Sequence, residues 1–144
     1  MYPAKDVAIY IINWCHSHNI PITNLKLQKL LYFIQGENCR IRHNRLIKDD
    51  FYAWQLGPVV PEVYTEYAIF SSSTIPNTES SAEFSEETMR IMDQVLLRYA
   101  TKSTWHLVDL SHSQGPWKYN YQTFGDKAII PYKSIESYYG GENI

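Results

Sequence analysis

Cys15, His16 and His18 lie close together, and at three-residue spacing Cys15 and His18 share one face of a helix. A thiol and an imidazole side by side is metal-ligand chemistry. A metal site needs three or four converging ligands, and only two are offered here, so no metal is expected. His106 and His112 are six apart and turn to different helix faces, while Asp109 lies three from each and can bond to one of them. A hydrolase built on Asp109 and His112 would need Ser111 or Ser113 as its nucleophile. Nothing in the spacing requires that, and structural polar contacts explain these residues better. The six glycines are scattered and form no phosphate-cradling loop. Glu86-Glu87 suits the positive first turn of a helix. Cys15 and Cys39 fall outside any Cys-x-x-Cys pattern and are expected to be buried free thiols in a reducing cytosol. The residues give no argument for an enzyme, so no catalytic, cofactor-binding or metal-binding residue is assigned.

The surrounding elements form a mainly α, compact single domain spanning residues 1–144, with one or two short β segments. Val7, Ala8, Ile11, Ile12 and Cys15 recur at helical spacing over about Ala4–Ser17. Thr23 or Asn24 caps a second helix, about Leu25–Arg40, with Gln28 near the capping-box position. Leu27, Leu30, Leu31, Tyr32, Phe33 and Ile34 give that helix an apolar girdle wide enough to be buried on several sides, so it is expected to be central. Leu46–Trp54 suits one or two short strands. Gly57-Pro58 is expected to turn the chain, and Pro61 to start a helix running to about Phe70. Ser71–Phe84 is a polar surface loop. Ser85 caps a helix carrying Met89, Met92, Val95, Leu96 and Tyr99, and Ser103 or Thr104 caps another to His112. Gly115-Pro116 breaks that helix, and Trp117–Tyr121 is expected as an aromatic loop. Ala128–Ile130 reads as a short strand before a last helix, Pro131–Tyr139.

Twelve Tyr and four Trp bring the aromatic content to 15%, which suits either a packed core or a binding surface. Trp54, Tyr64, Trp105, Trp117, Tyr119 and Tyr121 are the candidates for such a surface. The net charge of −2 gives no general field for a polyphosphate backbone, so nucleic acid is not an expected partner. A helix-turn-helix over Ile9–Tyr32 is the alternative: a DNA-binding regulator reading bases with Lys26 and Lys29. Its reading face is poor in other polar groups, whereas a recognition helix keeps one face wet. The apolar run Val7–Cys15 is too short to span a bilayer and lacks a basic leader, so a cytoplasmic protein without membrane partners is expected.

Three stretches resemble one family. Asn24-Leu25-Lys26-Leu27-Gln28-Lys29-Leu30-Leu31-Tyr32 is the first, and Trp54-Gln55-Leu56-Gly57-Pro58-Val59-Val60-Pro61-Glu62-Val63-Tyr64 is the second. The third is Leu107-Val108-Asp109-Leu110-Ser111-His112 running into Gly115-Pro116-Trp117. In this order they are similar to the Panacea domain, the SocA-like or GepA-like antitoxin family with phage-associated members. The resemblance implies an antitoxin of a bacterial or prophage toxin–antitoxin pair, neutralising a toxin encoded next door by binding it. It also implies widely differing toxins, a protease as second partner where a member acts as adaptor, and no cofactor. A homo-oligomer is compatible with it. Many relatives carry a Ser before Pro-Trp, where this chain has Gly115. The residues put forward for toxin contact are Trp54, Gln55, Tyr64, His112 and Trp117.

Overall fold

The computed structural model describes residues 1–77 and 82–140. Helices α1 (Ala4–Ser17) and α2 (Asn24–Arg42) are followed by strands β1 (Phe51–Trp54) and β2 (Gly57–Val59). Helix α3 (Pro61–Tyr67) ends in a 3₁₀ turn, Ala68–Phe70. Then come α4 (Glu86–Tyr99), α5 (Thr104–His112), α6 (Gly115–Phe124), β3 (Ala128–Ile130) and α7 (Tyr132–Tyr139). The mainly α architecture with a minor sheet is as the sequence indicates. No helix among the described residues is long and apolar enough to cross a membrane.

Helix α2 is the axis. It packs against α1, α3, α4, α5, α7 and β2, and from Lys26 to Cys39 every residue is buried. The girdle of Leu27, Leu30, Leu31, Phe33 and Ile34 supplies the apolar contacts. Its buried polar residues bind backbone that no strand pairs with, as buried donors and acceptors require. Gln35 Oε1 accepts from the backbone N–H groups of Leu46 and Ile47, and its Nε2 donates back to the Ile47 carbonyl. Gln28 does not close a capping box. Its Oε1 accepts from the Val60 N–H at 3.0 Å and its Nε2 donates to Asn24 Oδ1. Thr23 is the cap, accepting from the Lys26 N–H. Lys26 and Lys29 are both buried, so Leu25–Phe33 has no wet basic face to place in a DNA groove. The aromatic girdle continues onto α7, where the Tyr139 ring lies over Gly36 so closely that a Cβ there would collide with it.

The sheet has the order β2-β1-β3 and is antiparallel throughout. Trp54 pairs with Gly57, so the reversal between β1 and β2 is made by Gln55-Leu56, not by Gly57-Pro58. Gly57 instead opens β2 at φ +117°, where a Cβ is disfavoured. Pro58 fits beside it because β2 is an edge strand. Ile47 makes an isolated parallel bridge with Tyr2 rather than joining the sheet.

A second difference concerns Trp117–Tyr121, which is helical within α6 and not a loop. Proline is unfavourable inside a helix but well suited to its first turn, so Gly115-Pro116 both ends α5 and starts α6. The polar stretch after Phe70 is tied down at Ile75, which is buried and donates its N–H to the Ile22 carbonyl. Residues 78–81 of that expected loop lie outside the described residues.

Candidate functional site

The polar anchors of α2 hold a hairpin and a short helix side by side. Lys29 Nζ donates to the Pro58 carbonyl at 2.8 Å, Gln28 holds Val60, and Asn24 Nδ2 donates to the Tyr64 carbonyl at 3.0 Å. The β1–β2 turn and α3 are thereby fixed against the start of α2. Lys29 is wholly enclosed, and burial pushes its ammonium down to about 7. A Cβ on Gly57 would come within 2.9 Å of Lys29 Nζ and of Ser111 Oγ. The hairpin therefore rests directly on the lysine.

Trp117 supports the same hairpin from the other side. Its indole Nε1 donates to the Trp54 carbonyl at 2.7 Å. The ring is stacked between His112, 3.9 Å away, and Tyr121, 4.6 Å away. Burial pushes His112 below its ordinary range, a bond to the Gln55 backbone opposes that, and nearby Lys29 adds to it. Of the five residues put forward for contact, His112 and Trp117 are thus struts: Trp117 is 8% exposed and cannot be an open anchor.

Trp54, Gln55 and Tyr64 lie on the outer side. Trp54 meets Tyr64 edge-to-face at 5.0 Å, and Lys127 Nζ sits 5.2 Å from the Trp54 ring. These rings border a cavity of about 690 Å³ whose walls include Leu25, Leu56 and Trp105. Trp105 is 60% exposed, Leu56 40% and Tyr64 39%. All five predicted residues are brought into one assembly, in two layers.

Two rim residues, Leu56 and Trp105, were not among the five. Trp105 is one of the six aromatics put forward for a binding surface, and it stands 60% exposed on α5, turned away from the buried Leu107 and Ser111. Leu56 becomes prominent only because the turn falls at Gln55-Leu56.

The other chemistry-bearing residues do not converge. Cys15 is buried, with its thiol pushed up to about 11 by burial, whereas His18 is exposed and stacked on Trp14. Among the described residues no group of three or more His, Cys, Asp or Glu could hold a metal ion. Ser111 Oγ donates to the Val108 carbonyl, and Asp109 is exposed.

The family "Antitoxin SocA-like, Panacea domain" matches residues 27–118. "Antitoxin SocA" of Caulobacter vibrioides (strain NA1000 / CB15N) is 32% identical over 127 residues, covering 79% of this chain and 68% of that protein. No solved structure matches the chain.

Proposed function

We infer the function from one premise: this chain belongs to the antitoxin SocA-like, Panacea domain family. It acts in the cytoplasm as an antitoxin and neutralises a protein toxin encoded by a neighbouring reading frame, by binding it directly. One observation supports the choice of surface: an open cavity of about 690 Å³ rimmed by exposed Trp105, Tyr64 and Leu56. Large aromatic side chains on a rigid frame are what binding hot spots are made of. The frame here is held by Lys29, Gln28 and Trp117 from below. An apolar, aromatic segment of the toxin fits this rim, and the arrangement needs no chemistry from the antitoxin itself.

Co-expression with the neighbouring reading frame tests this. Growth is restored and the two proteins co-purify if neutralisation is by binding. Restored growth with the toxin depleted, and stabilised when cellular proteases are removed, is the signature of an adaptor that hands the toxin to a protease. Restored growth with free, intact toxin contradicts direct binding.

A further inference from the structure

We propose that a second cleft, between the C-terminal half of α2, the end of α4, the start of α5 and α7, binds a phosphate-bearing small molecule. It measures about 670 Å³, within the range of small-ligand sites. It stands independently of the toxin reading, because Thr104 and Trp105 face the toxin groove whereas His106 and Leu110 line this cleft.

Charge singles it out. The chain as a whole carries −2, yet Arg40, Arg98 and Lys102 line this cleft against the carboxylate of Glu37. Glu37 is buried and engages both guanidiniums. Arg40 donates to its Oε1 through two nitrogens, and Arg98 lies 3.9 Å from Oε2. Glu37 thus offsets one of the three positive charges; Arg98 meets it as an ion pair without a hydrogen bond and lies over the Tyr99 ring, 5.0 Å from its centroid. Lys102 forms no ion pair among the described residues.

The neighbouring arginines show the contrast. Arg42 is consumed by Thr88 and Glu87, and Arg45 by Asp50 and three backbone carbonyls.

The floor supplies a further donor. Gln114 is buried, and its Oε1 already accepts the hydroxyls of Tyr32 at 2.8 Å and Tyr139 at 2.7 Å. Its amide nitrogen is the polar group left for an occupant. Guanidinium forks, an ammonium and an amide N–H set are all donors, and the planar fork matches phosphate oxygens. Half-buried Leu110 and Tyr138 offer apolar wall beside them for the organic part of the ligand.

Calorimetric titration of the full chain at low ionic strength, with sodium phosphate and with adenosine monophosphate, tests the site. Both are expected to bind, and the Arg98→Ala/Lys102→Ala double variant is expected to weaken both by roughly tenfold or more. Both altered side chains are exposed, so an unchanged melting temperature is the control for folding. Tighter binding of the nucleotide supports the site with an organic ligand, and equal binding supports it with phosphate alone as the recognised group. No binding up to about 10 mM, equal binding by the double variant, or an effect reproduced by sodium chloride at matched ionic strength overturns it.

Discussion

Lys29 carries the most readable thermodynamic signature at the scale of single residues. Its ammonium is enclosed and depressed to about 7, against 10.5 when exposed. Below pH 7 both folded and unfolded chains hold the proton, so the folded state bears the full cost of a buried charge. Between about 7 and 10.5 the unfolded chain binds more protons, so stability rises with pH. Tyr32 and Tyr139 are raised by burial, so above about pH 10, where the unfolded phenols ionise and the folded ones do not, the folded chain binds more protons and stability falls with pH. Denaturant melts should therefore show stability increasing from pH 7 to about 10, by up to several kcal/mol, and Lys29→Met should flatten that rise. Gly57→Ala is expected to cost about 2 kcal/mol or more, because φ is +117° and the methyl group would meet Lys29 and Ser111. Urea unfolding measures it. Trp117→Ala should cost roughly 3–5 kcal/mol by removing a buried ring. A loss of toxin binding in that variant would come with lost stability, unlike a loss at an exposed rim residue.

Among the elements, α2 carries the largest burden. Leu30→Ala, at a fully buried position facing a crowded core, is expected to cost roughly 2–5 kcal/mol in a chemical melt. The apolar girdle of this helix was legible in the sequence, because only a helix buried on several sides needs Leu27, Leu30, Leu31, Phe33 and Ile34 together. Its other task was not legible. Gln28, Lys29 and Gln35 look like ordinary helix polar residues, and only the tertiary contacts show that each binds backbone of a distant segment. Proline is ambiguous twice for one reason. Gly57-Pro58 and Gly115-Pro116 both suggest interruption, yet proline also suits an edge strand and a helix first turn. Local signals cannot separate those uses, and so the helix that buries Trp117 reads as a loop in the sequence. The candidate site was legible as a set of residues but not as two layers, since depth depends on how α6 returns beneath the hairpin.

For the whole molecule, the small sheet is the device that joins early and late parts of the chain. Strand β3, arriving after α6, pairs with β1 on the side opposite β2. Trp54 at the end of β1 then receives Lys127 on its ring and Trp117 on its carbonyl. The rim of the groove thus depends on four separate stretches: the hairpin, α3 with Tyr64, the start of α5 and the segment before β3. A family that shares this frame can alter exposed rim residues without altering the struts, because the struts bond mainly to backbone. The central claim is that this rim binds the toxin, and the most direct test is the affinity of the purified toxin for a Tyr64→Ala/Trp105→Ala variant. Both side chains are exposed, so the melting temperature should stay near that of the parent chain. Binding weakened by at least about thirtyfold is the predicted result, whereas parental affinity in the folded variant would contradict the assignment of this groove.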